Sequence, residues 1–381
     1  MPAPPPAQPT AQALRAAFDA PSPFTVGLEE EVMVLHPETL DLLPRAPELL
    51  PRLDGDARVK LELPAAQLEL VVGPEASVPA AVAELGSARG ALARALAGEA
   101  RLACAGLHPF AAVEGSPTPG AHYERTLEQY GFVARRQLVF ALQVHVAVRG
   151  ADRAIGVYEG LRRHLPDLAA LAANAPFRAG QDTGLASARP VVVRMLPRQG
   201  VPPALASWEA FAAELDWGAR AGGVSAPGRW WWELRPHVAH GTLELRVPDA
   251  QATLAEVGAV AAVAQALCAE LAARWEAGER LAPVPTWRIE ENRWSAARHG
   301  SGGNMADLVT GARAPTAERL HALLEALAPR AAELGCAAEL AHAHVLVDAP
   351  GWRRQRTIAW ESGVKAVVED LARRFAPGQE G

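Results

Sequence analysis

Phe24-Thr-Val-Gly-Leu-Glu-Glu-Glu31, continued by Val32-Met-Val-Leu35, is the stretch on which the reading of this chain turns. Phe24, Val26, Leu28, Val32 and Val34 are strand formers and no proline interrupts them, so the pattern predicts a β-strand. Side chains alternate along a strand, which sets Glu29 and Glu31 on one face and Glu30 on the other. Like charges two residues apart repel unless a cation sits between them. A solvated edge strand, its charges discouraging further pairing, is one account of the run. The other makes Glu29 and Glu31 oxygen ligands of a hard divalent cation, and the rest of the chain must then supply more ligands.

Five further segments bear on that choice. Val59–Leu63 and Gln67–Val72 read as extended on either side of Pro64-Ala-Ala, and in the second Gln67, Glu69 and Val71 share a face. Leu138–Val148 ends in strict alternation, with Gln143, His145 and Ala147 on one face and Leu142, Val144, Val146 and Val148 on the other. Arg229-Trp-Trp-Trp-Glu-Leu-Arg-Pro-His237 reads as a strand whose tryptophans face both sides, Glu233 and Arg235 projecting with Trp231. Gly241–Val247 repeats the design, with Thr242, Glu244 and Arg246 on one face. If these strands pair, Glu29, Glu31, Glu69, His145, Glu244 and Arg246 collect on one face with Arg235 nearby. Such a set is too acidic for a dry core unless cations compensate it. Magnesium takes oxygen ligands and sits under polyphosphates, while arginine neutralises charge growing on a transferred phosphoryl group. No phosphate-binding Gly-x-x-x-x-Gly-Lys-Ser/Thr loop or kinase motif set is present, so ATP would need another architecture. The absence of His-Glu-x-x-His counts against a transition-metal hydrolase.

The 381 residues are half apolar and carry a formal net charge of −6 with no arginine-rich arm. That excludes a disordered chain and argues against a nucleic-acid surface. Cys104, Cys268 and Cys336 lie too far apart for metal or redox spacing and read as reduced, buried thiols of a cytosolic protein. Residues 1–20, rich in proline and alanine, read as a flexible leader and not a signal peptide, and 21–381 as one α+β unit. No apolar run free of charges or breakers reaches membrane-spanning length. Helical periodicity is expected over Val78–Ala105, Tyr123–Arg136, Asp152–Ala173 with a break at Pro166, Ser207–Leu215, Leu254–Trp275, Thr316–Leu334, Leu340–Ala349 and Ser362–Phe375.

Taken in order, Phe24–Glu31, Gln67–Gly73, Gly106–Phe110, His145, Asn174–Gly184, Trp231–Pro236, Leu243–Gln251, Glu291–Gly300 and Arg354-Gln-Arg356 resemble the glutamate–cysteine ligase type 2 family of carboxylate–amine ligases. The resemblance implies a glutamine synthetase-like fold: a curled antiparallel β-sheet, helices on its convex face and the site in the concave one. It implies ATP and Mg²⁺, phosphorylation of a small-molecule carboxylate such as glutamate, and attack on the acyl phosphate by an amine such as cysteine. It makes Glu29, Glu31, Glu69, His145 and Glu244 the metal-binding set, with Glu31, His145 and Arg246 closest to catalysis. Arg235, Arg246, Trp232 and Arg298 are implied to contact nucleotide or substrate, and a homodimer is implied as well. Gln143 stands where members often have histidine, and Pro248 where they commonly have cysteine before the aspartate matching Asp249. An amino-acid or guanidino kinase, or a non-catalytic Mg–ATP-binding regulator, is the alternative.

Overall fold

The extended segments do pair. In a computed structural model that describes residues 10–20, 22–224 and 227–376, the strands are β1 (Val26–Leu35), β2 (Val59–Leu61), β3 (Gln67–Glu75), β4 (Arg101–Ala103), β5 (Leu142–Ala147), β6 (Phe177–Arg178), β7 (Gln181–Asp182), β8 (Leu234–His237), β9 (Thr242–Leu245), β10 (Asn304–Ala306) and β11 (Arg313–Pro315). The helices are α1 (Ala11–Asp19), α2 (Ala46–Leu49), α3 (Val78–Ala95), α4 (Ala121–Tyr130), α5 (Phe132–Arg135), α6 (Ala151–Leu171), α7 (Arg189–Val193), α8 (Trp208–Arg220), α9 (Leu254–Glu276), α10 (Thr286–His299), α11 (Thr316–Glu333), α12 (Ala337–Asp348), α13 (Gly351–Ser362) and α14 (Val364–Phe375).

Six strands run in the order β2-β3-β1-β5-β9-β8, β4 adds to β1, and every pair is antiparallel. The register fixes the site. Glu31 lies opposite Glu69, Glu29 opposite Gln143, Gly27 opposite His145, and Glu244 opposite both His145 and Arg235. Facing residues in a ladder share a face, so the acids gather on one side. The other side carries Leu28, Val32, Leu68, Leu70, Val144 and Val146 into the core, where α3 packs on β1 and β3, α9 on β5 and α6 on β8. Helix α9 is apolar all round because it is buried all round. It is long and apolar enough to cross a bilayer, but 83% of its most apolar stretch is buried inside the protein.

The sheet corrects the curled one that the family resemblance implied. It is open, and β2 and β8 end it without pairing with each other. The outer edge of β2 and the turn after it are already engaged: Tyr123 Oη donates to the Leu61 carbonyl at 2.8 Å and the Thr118 amide to the Leu63 carbonyl at 2.8 Å. At the far edge β8 carries Pro236, which has no N–H to donate.

Other expectations shift as well. Residues 11–19, placed in the leader, form α1, capped by Thr10 and held by buried Leu14 and Phe18, whose ring meets Trp208 edge-on at 4.9 Å. Residues 1–9 lie outside the described residues. The expected helix over 78–105 stops at Ala95, and Arg101–Ala103 pairs instead with the end of β1, whose backbone groups there need partners. Helix α6 runs through Pro166; burial of Tyr158, Leu161, Leu165 and Leu168 outweighs one lost backbone bond. The three tryptophans precede β8 and do not occupy it: Trp230 is buried against Phe211, and Trp231 lies beside Tyr130 beneath Arg198 and Arg229.

Candidate functional site

Three strands meet at His145. Its Nε2 is 3.3 Å from Glu29 Oε1 and 3.9 Å from Glu244 Oε2, while Nδ1 lies 3.0 Å from Thr242 Oγ1. Glu29, His145 and Glu244 each bring a ligand atom within 4.8 Å of the others, and no other such group occurs among the described residues. His145 Nε2 is buried with no hydrogen-bond partner, aimed between two carboxylates. An orphaned imidazole nitrogen so placed, its ring steadied through the other nitrogen, fits a divalent cation completed by water and phosphate oxygens.

Arginines engage both carboxylate oxygens of Glu244. Arg235 Nε donates to one carboxylate oxygen and an Arg246 guanidinium nitrogen to the other. Burial alone would raise the Glu244 pKa, but Arg246 and Arg235 outweigh it and hold the group ionised, well below the usual carboxylate range. Arg246 also donates to Gln143 Oε1, and Gln143 Nε2 donates to Glu31 Oε1 at 3.3 Å. The second oxygen of Glu31 accepts the Ala141 amide at 2.6 Å. Gln143 thus spans from the arginine to the next acid, accepting at one end and donating at the other.

Beyond Gln143 the balance reverses. Burial, reinforced by Glu62, pushes Glu31 up to about 7. Burial also raises Glu69 well above its ordinary value, with Glu62, Glu29 and Glu31 adding to the effect and Lys60 offsetting it in part. Glu62 is raised by the same burial. Three crowded carboxylates gather here without enough positive charge to answer them. Sequence reasoning noted the strand that carries Glu62 but not the residue. The signal was its spacing of two from Lys60, which places both on the face of Glu69.

A cavity of about 320 Å³ adjoins Glu29 and His145, walled by Gly27, Val71, Val72, Ala147, His240 and Thr242. His240 and His237, also missed, stack at 4.4 Å on the β8–β9 turn, and the His237 ring lies 5.3 Å from that of His145. Burial lowers His237 to about 4, so it is neutral near pH 7. A larger cavity of about 690 Å³, between α10 and the β10–β11 hairpin, contains none of the clustered acids.

Glu29, Glu31, Glu69, His145, Glu244, Arg235 and Arg246 therefore share one face, as the strand alternation anticipated. Two expected contacts do not join them. Trp232 is half-buried against the apolar core. Arg298 is exposed on α10, its guanidinium beside Gly184, close to Asp182, which is itself paired with Arg356.

Residues 25–369 match the family described as glutamate-cysteine ligase family 2. A protein provisionally named glutamate–cysteine ligase 2-3 from Rubrobacter xylanophilus is 39% identical over 371 residues, covering 95% of this chain and 100% of its own. One provisionally named glutamate–cysteine ligase 2 from Thermobifida fusca is 35% identical over 95% of this chain and 93% of its own. Among solved structures, the glutamate–cysteine ligase of Francisella tularensis in complex with AMP superimposes with a TM-score of 0.69 at 11% identity, covering 94% of this chain and 89% of that one. At that identity the likeness speaks for the fold.

Proposed function

Because the chain belongs to glutamate-cysteine ligase family 2, we propose that the acid face of its sheet is the site where ATP activates a glutamate-like carboxylate for attack by an amine. The enzyme is an ATP-dependent carboxylate–amine ligase that forms a C–N bond and uses Mg²⁺. The observation that carries the assignment of residues is the orphaned His145 Nε2 between Glu29 and Glu244, with two arginines bonded to the Glu244 carboxylate. Glu29, His145 and Glu244 would hold magnesium, which would supply positive charge against the phosphates, and Glu31, Glu62 and Glu69 beside it leave further negative charge for a cation to answer.

The chain's own residues do the rest by placement and electrostatics. The 320 Å³ cavity beside His145, walled largely by small and apolar residues, would suit the nucleoside, with Glu29 and His145 at its wall. Arg246, oriented by Glu244 and Gln143, would neutralise charge on the γ-phosphoryl group as it passes to the carboxylate oxygen and ADP leaves. The amine then attacks the acyl carbon, the carbon–oxygen bond to phosphate breaks, and amide and phosphate form with loss of the amine's proton. No side-chain nucleophile is needed. A cytosolic setting suits an ATP-driven enzyme with buried free Cys104, Cys268 and Cys336, and pairing of two copies would cover exposed indoles such as Trp360.

The test is ADP formation with Mg²⁺ and glutamate, with and without cysteine and other amines, with the products weighed by mass spectrometry. An amide with one ADP released per bond supports the reading. A stable phosphorylated amino acid identifies a kinase, and Mg²⁺-dependent ATP binding without ADP release identifies a regulator.

A further inference from the structure

Helix α4 is held unlike the rest of the chain. None of its ten residues is buried, yet it reaches from one edge of the sheet to the segment that enters the other. At its start, Tyr123 Oη donates to the Leu61 carbonyl on β2 at 2.8 Å. Leu61 directly precedes Glu62 and faces Leu68, the neighbour of Glu69, so the hydroxyl is fixed beside the segments that carry the crowded acids. At its end, Tyr130 Oη accepts from Arg198 at 3.0 Å and its ring meets Trp231 at 5.6 Å, while Gln129 accepts from Arg229 at 3.1 Å. The helix is flanked by Gly120 at φ 135° and Gly131 at φ 58°, both in the region that glycine adopts freely. A Cβ on Gly131 would meet nothing within 4 Å, so it is the backbone angle and not crowding that favours glycine there. A helix without buried residues between two such pivots, fastened by a few polar tethers, can swing as a unit.

The reaction supplies a need for such a part. Water can attack the same acyl carbon as the amine; the same carbon–oxygen bond breaks, the carboxylate is regenerated, and phosphate is released with ATP spent and no amide made. Closing a site to water prevents that side reaction.

We propose that α4 is the cover of the Glu31–Glu62–Glu69 end of the site and Tyr123 its latch, a positioning residue that keeps water from the activated carboxylate until the amine attacks. The inference rests on the ligase reading. In the full chain, Tyr123→Phe removes only the hydroxyl that holds β2, and Arg198→Ala loosens the opposite tether. ADP and amide are measured separately with Mg²⁺, glutamate and the best amine. Wild type should give about one amide per ADP; both variants should keep releasing ADP while amide per ADP falls several-fold, with KM for ATP little changed. A merely structural role would lower ADP and amide together. Hydrogen exchange of the α4 amides in wild type should slow when Mg–ATP and glutamate are added, and slow less in Tyr123→Phe. An unchanged amide-to-ADP ratio in both variants, or α4 exchange indifferent to ligands, overturns the cover. ADP release without amide from wild type, whatever the amine, sinks the ligase reading instead, and the exchange measurement still judges the cover.

Discussion

The two faces of β1 hold the same residue type and treat it in opposite ways. Glu30 faces the helices, fully buried, and accepts from Arg89 Nη2 at 2.5 Å and Nε at 2.7 Å. Arg89 spends its other donors on the carbonyls of Gln251 and Ala252 and lies 4.5 Å over the Phe375 ring. Every charge there is answered inside the chain. Across the strand, Glu29 is held ionised against its burial by His145 at 3.3 Å and by Arg246, but Glu31 shares a crowd with Glu62 and Glu69, and all three are pushed up. A buried carboxylate with a complete set of partners holds the fold together; one whose compensation falls short marks where something from outside is expected.

Substitution should break that contrast cleanly. Glu29→Ala should lower Mg²⁺-dependent ATP turnover by about 10³-fold or more, the scale of losing electrostatic stabilisation at a reacting phosphate, with little change in melting temperature. Turnover and calorimetry together check it; equal loss of stability would erase the difference between the faces. Glu30→Ala should do the reverse. Leaving Arg89 buried and unpaired costs about 3–5 kcal/mol of stability, read by urea unfolding, while turnover per folded molecule is kept.

The pH dependence of the metal-free protein sharpens the comparison. The folded pKa of Glu31, about 7, lies above its ordinary 4.5, so the folded chain holds that proton more tightly than the unfolded one. Between those values stability falls as pH rises, by up to about 3 kcal/mol from this group. Glu69 and Glu62 shift in the same direction and steepen the fall. Adding Mg²⁺ should flatten the curve, and a metal-free protein equally stable at pH 5 and pH 8 would contradict the uncompensated cluster. The smallest effect belongs to Gln143→Met, which keeps the volume but cuts the link between Arg246 and Glu31. About a tenfold lower kcat with KM for ATP nearly constant is expected.

Much of this face was legible because a strand's period is two. Once Glu29, Glu31, Glu69, His145, Glu244 and Arg246 alternate with apolar neighbours, any in-register sheet gathers them. Glu62 escaped because it sits just past the end of a three-residue strand, where alternation has too few residues to stand out. The tryptophans misled because aromatic residues suit a strand and an arginine-stacked cluster equally well. Arg298 was placed by the family resemblance of Glu291–Gly300, which does not say what its side of α10 meets in this chain. Whether the sheet closes is not written in any strand; it depends on what already occupies the edges, and here Tyr123 and Thr118, more than fifty residues away, do so.

Arg89 has a consequence for how the enzyme comes into being. Its neighbours are drawn from positions 30, 251, 252 and 375, so the knot beneath the acid strand cannot be tied while α14 is still inside the ribosome. A chain made only partway to Phe375 would hold the acids on a strand whose reverse side is unfinished, and ATP would find no rigid seat there.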